Sequence, residues 1–123
     1  ARGVQSLYLT AYLKNDAVKR LTETAEFVNT CLKPLVDNDS INNLLISILK
    51  VRFYHSISRF HLKNQITDEF PINQEDMLGT LLSFWFIPIK GMNKMGIVLS
   101  KNDSEKLAQH WANVGLLLGL NPD

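Results

Sequence analysis

The sequence predicts an all-α domain, and three observations predict it. Apolar residues recur three and four positions apart along most of the chain. Capping and breaking residues punctuate those stretches at Pro34, at Asp37-Asn38-Asp39-Ser40, at Ser100-Lys101-Asn102-Asp103 and at Gly119. No stretch alternates apolar and polar residues for long enough to build a sheet. With 123 residues, the chain reads as a single helical domain over 1–123. A chain of this length buries roughly two thirds of its unfolded surface, which is enough for a core.

The central element is expected from about Ser40 to Leu62. At 100° per residue, the face that carries His55 also carries Leu44, Ile48, Val51, Arg52, Arg59 and Leu62. The opposite side carries Ile46, Leu49, Phe53, Ile57 and Phe60. A helix apolar on two sides is expected in the middle of its domain, buried on both. Before it, Val4 to Leu13 reads as a short helix. A second helix, capped by Asn15 or Asp16, runs to about Leu32 and is stopped by Pro34. Ala17, Arg20, Thr24, Phe27, Val28 and Cys31 share one of its faces. Lys63 to Pro71 reads as a polar loop. Asn73 caps the next helix, Glu75 and Asp76 suit its positive end, and Pro88 is expected to kink or end it. Gly91 to Gly96 reads as a Met-containing loop. Ser100 to Asp103 resembles a capping box with Asp in place of Glu, and Gly119 closes the last helix. The total is about five helices in a bundle-like or globin-like core.

Composition narrows the partners. The formal net charge of +1, with no block of like charges, leaves no footprint for nucleic acid or a charged membrane surface. The longest apolar run, Leu81 to Ile89, is interrupted by Ser83 and Pro88 and is too short for a transmembrane segment. No signal-peptide core opens the chain, so a cytoplasmic location is the default expectation. Ala1 is not an initiator Met, so a processed, trimmed or fragmentary chain is expected. Cys31 has no partner for an internal disulfide, no CxxC zinc pattern exists, and Cys31 fits a small core residue. Phosphate-loop, dinucleotide, zincin and nucleophile-elbow motifs do not occur.

His55 is the residue with the most chemistry to offer. A lone His on a buried face is more often a hydrogen-bonded core residue. The functional alternative is a neutral imidazole that binds a metal, including the proximal side of a haem iron. His61 lies about 240° around the same helix, so the two cannot chelate one ion. Arg52 and Arg59, one turn either side of His55, need carboxylate or phosphate partners, either acidic residues or the propionates of a haem. Arg20 and Thr24 form a second inward polar pair. The plainer alternative is a Thr bonded to its own helix backbone and an Arg that reaches solvent. Phe84-Trp85-Phe86 and Trp111 fit a core, and could equally wall a flat apolar cofactor.

Taken in order, these motifs resemble the catalytic-domain family of latex-clearing protein (rubber oxygenase) and the ER-bound oxygenase of mycophenolic acid biosynthesis. Arg52-Phe53-Tyr54-His55-Ser56-Ile57-Ser58-Arg59 is similar to that family's Arg-x-x-His-x-x-x-Arg. Arg20-x-x-x-Thr24 with Phe27 stands about thirty residues upstream, as in the family. A looser third part is the helix start at Asn73, then Leu99-Ser100 and Trp111-x-x-x-Gly115-x-x-x-Gly119. The resemblance implies a b-type haem in a globin-like helical core, with His55 as the iron ligand. It implies Arg52 and Arg59 beside the cofactor, and Arg20 and Thr24 on the distal side.

It also implies oxidative cleavage or oxidation of an unsaturated apolar, isoprenoid-like substrate with dioxygen. Three departures stand beside it. Latex-clearing members carry a Lys where this chain has Glu23, and an acidic residue further upstream that Ala1 to Asn15 does not supply. Family domains also continue beyond Asn121-Pro122-Asp123, so part of a larger catalytic domain is expected. The alternative function is a non-catalytic all-α binding or interaction module that keeps the fold without haem.

Overall fold

The computed structural model describes residues 17–63 and 71–122. Among them lie four helices and no strand: α1 (Ala17–Leu32), α2 (Asn38–Leu62), α3 (Gln74–Lys94) and α4 (Lys101–Leu118). The all-α class is as the sequence predicts. The helix expected at Val4 to Leu13, its successor's cap at Asn15 or Asp16, and most of the Lys63 to Pro71 loop lie outside the described residues. Two compact units divide the chain after Asn73. The first holds α1 and α2, and the second holds α3 and α4.

In the first unit α1 packs on α2. α1 stops at Leu32 because Pro34 disfavours helical geometry at the residue before it. Phe27 and Cys31 are buried on its inner face, with Arg20, Thr24 and Val28 partly covered. α2 starts two residues earlier than expected because Asp37, not Ser40, is its N-cap. The Asp37 carboxylate accepts the Ser40 N–H at 2.7 Å, and Ser40 Oγ accepts the Asp37 N–H at 3.1 Å. This reciprocal box satisfies two N–H groups that no helical carbonyl can reach.

Leu44, Ile48 and Leu62 are buried along α2. Its other side corrects the expectation of burial all round: Ile46, Leu49, Phe53, Ile57 and Phe60 are exposed, Phe53 by 63% and Phe60 by 76%. One neighbouring helix can cover only one side of a helix, and α1 lies on the side of Ile48. Arg52 is likewise exposed rather than inward.

The second unit departs from the sequence first at Pro88. Pro88 does not end α3, which continues to Lys94. Proline removes one N–H, the one that would reach the Phe84 carbonyl, and the bonds on either side can still form around it. The stop comes instead at Gly96, so residues 91–94, expected as loop, are helical. Gly96 takes φ 81°, its N–H meets the Asn93 carbonyl at 3.1 Å, and the Ile97 N–H meets the Met92 carbonyl at 2.9 Å. Gly119 repeats this motif at the end of α4, with φ 98°, Gly119 N–H to Leu116 and Leu120 N–H to Gly115.

At the start of α4, Ser100 Oγ accepts the Asp103 N–H at 3.1 Å and its hydroxyl donates to Asp103 Oδ2 at 2.7 Å. Only half of the expected box forms. Asp is one methylene shorter than Glu, and its carboxylate takes the hydroxyl rather than the backbone N–H.

α3 and α4 pack on each other through Met77, Leu81, Trp111 and Val114, all buried. Gly115 sets how close they come. A Cβ there would stand 2.8 Å from Leu81 Cδ2 and 3.0 Å from Leu120 Cδ1. Gln74 ties the two ends together, donating to the Gly119 carbonyl at 3.0 Å and accepting the Asn121 N–H at 2.9 Å.

Candidate functional site

Arg20, Thr24, His55 and Arg59 lie in the first unit, each at least partly covered on α1 or α2, while Arg52 is exposed on α2. Helical periodicity places His55 one turn after Val51 and two turns after Ile48, hence on the covered side of α2. The ring is largely buried, and its Nδ1 is fully buried with no hydrogen-bond partner among the described residues. Burial pushes its pKa down from 6.5 to about 4, and the guanidiniums of Arg59 and Arg20 add to that in this order. His55 is therefore a neutral imidazole at physiological pH, the form that binds metals. An unpartnered buried polar atom is costly, and ligation of the ring would relieve that cost.

The other candidates divide. Arg20 is partly covered on α1 and close enough for its charge to act on His55. Thr24 is partly covered too, and its hydroxyl donates to the Arg20 carbonyl at 2.8 Å. That is the plainer of its two expected roles, although the oxygen keeps lone pairs to accept with. Arg59 donates from Nε and Nη2 to the Ile72 carbonyl at 3.2 and 2.8 Å. Arg52 is exposed on α2.

Glu23 is exposed on α1. Cys31 is buried on the same face as Phe27, and burial pushes its thiol up to about 11, so the free thiol stays protonated at neutral pH. His61 is exposed, and His110 lies edge-on to Trp111 in the second unit. Among the described residues no three His, Cys, Asp or Glu side chains gather as a metal site. The donor set present is thus one imidazole with cationic neighbours, which suits a cofactor that brings its own equatorial ligands.

Two features had no signal in the sequence. Ile72 adopts φ 55°, a left-handed conformation that β-branched residues rarely take, and its carbonyl is the Arg59 acceptor. The clasp at Gln74 is the other, since a glutamine after a capping Asn looks like any first-turn polar residue.

The His55 environment predicts an acid-sensitive fold in the cofactor-free protein. Between about pH 6.5 and about 4 the unfolded chain binds a proton at this ring and the folded chain does not. Stability therefore falls as pH drops through that window and levels off below it. The expected loss is roughly 2 kcal/mol, less than the whole shift would supply because the ring is partly screened by solvent. Urea midpoints at pH 7 and pH 4 for wild type and His55→Gln check this. Equal acid losses in the two proteins would contradict it.

Among the described residues no helix is long and apolar enough to cross a membrane. Comparison with curated proteins and with solved structures finds no match. The model of one family, described as "ER-bound oxygenase mpaB/B'/Rubber oxygenase, catalytic domain", matches residues 2–123, and with that match the chain belongs to this family of oxygenase catalytic domains.

Proposed function

We propose that this chain serves a haem b-dependent oxygenase that cleaves or oxidises carbon–carbon double bonds of an apolar, isoprenoid-like substrate with dioxygen. The observation that carries the reading is the state of His55: a largely buried, neutral imidazole whose Nδ1 has no partner among the described residues, with two guanidiniums acting on it. Family membership supplies the reaction class.

In this reading His55 would hold the iron through a ring nitrogen, which its buried, neutral state suits. Arg52 and Arg59 offset the negative charge of the propionates, Arg59 from beside the ring and Arg52 from the rim of α2. Arg20 and Thr24, one turn apart on α1, would supply a cationic N–H donor and a hydroxyl beside the cofactor. When bound, the haem would supply dioxygen activation at its iron. Glu23 carries no amine, so the distal role that latex-clearing members give to a Lys falls here to Arg20 and Thr24.

One observation favours the rival, a non-catalytic helical module: the Thr24 hydroxyl is already committed to its own backbone. The full-length protein reconstituted with haem b and given an unsaturated isoprenoid under ¹⁸O₂ separates the two. Cleavage should place one labelled oxygen in each of two carbonyl products. A haem-loaded protein that yields no labelled product would contradict the oxygenase reading, and a protein that takes up no haem would favour the module.

A further inference from the structure

We propose that Arg59 is a positioning residue whose two-pronged bond to the Ile72 carbonyl holds Ile72 in its left-handed conformation just ahead of α3. Two independent observations meet here. Ile72 has φ 55°, where an L residue pays for the approach of its Cβ to the backbone and a β-branched one is a marked outlier. Arg59 Nε and Nη2 both donate to the oxygen of that same residue, at 3.2 and 2.8 Å. A conformation that is intrinsically uphill persists only where its surroundings hold it, and a charged fork on one carbonyl is a strong local hold.

The surroundings support this assignment. Pro71, just before, is buried, and Leu62, three residues after Arg59, is buried at the end of α2. Pro71 fixes its own φ, so the freedom to turn falls on Ile72. Gln74, the first residue of α3, is engaged at its other end by Gly119 and Asn121. Of the two arginines that flank His55, Arg59 has its Nε edge spent on backbone, so its effect on the imidazole comes from charge held at a fixed place. The lock is built from the chain's own atoms and needs no cofactor.

The test follows the Arg59 Nε–H and the Ile72 backbone carbons by NMR in the full chain. In wild type the Nε–H should exchange with water about tenfold or more slower than an exposed arginine, as a made hydrogen bond requires. Ile72→Gly should keep that protection, because glycine reaches positive φ freely. Ile72→Pro, which forbids positive φ, should abolish it. Arg59→Lys keeps the charge but not the fork, and should move the Ile72 carbon shifts away from left-handed values. Protection that survives Ile72→Pro, or left-handed Ile72 shifts that survive Arg59→Lys, would overturn the proposal. A role for Arg59 through charge alone would leave both readouts unchanged.

Discussion

Trp111→Ala is expected to lower the stability of the second unit by about 3–5 kcal/mol. The indole is only 2% exposed, and its ring centroid lies 5.7 Å from that of Phe84 at an interplanar angle of 33°. Removing it discards the largest fully buried side chain and leaves a void between α3 and α4. The backbone has little room to collapse into it, because Gly115 already brings α4 against Leu81. Ile87→Ala, at an exposed site on α3, is the control and should stay within about 0.5 kcal/mol of wild type. Urea unfolding followed by far-ultraviolet circular dichroism measures both. A loss below about 1 kcal/mol for Trp111→Ala would show that the indole does not anchor the α3–α4 contact.

What was legible in the sequence follows the range of the forces involved. Local chemistry read well. Asp37 to Ser40 announced a cap, Pro34 a stop and Gly119 a left-handed exit, because each acts within a few residues. Periodicity placed His55 on the same covered side of α2 as Leu44 and Ile48.

Periodicity could not say how many sides of α2 have a neighbour. The row from Ile46 to Phe60 is apolar enough for burial, yet α1 covers only the other face. Pro88, read as a kink or an end, does not end α3. It carries a local penalty of about 3 kcal/mol in a helix interior, and packing of α3 outweighs it. Ile72 was illegible because its propensity argues against the conformation it takes, which a partner thirteen residues away holds in place.

In the proposed function His55 is the iron ligand, so its replacement should have the largest effect of all on cofactor binding. His55→Gly is expected to remove the axial imidazole while sparing the fold, since the ring is a buried group with an unsatisfied nitrogen and not a packing anchor like Ile48. Apolar contacts would still admit haem weakly, so affinity should fall by about 10- to 100-fold or more, not necessarily to zero.

The most direct measurement is a haem titration of the full-length protein, wild type against His55→Gly, read by the Soret band and repeated with free imidazole added. The expected result is a wild-type axial-imidazole spectrum, loss of that spectrum in His55→Gly, and its return when imidazole enters the space left by the side chain. A His55→Gly protein that keeps the wild-type Soret position and haem content without imidazole would contradict the assignment and leave His55 as a core histidine.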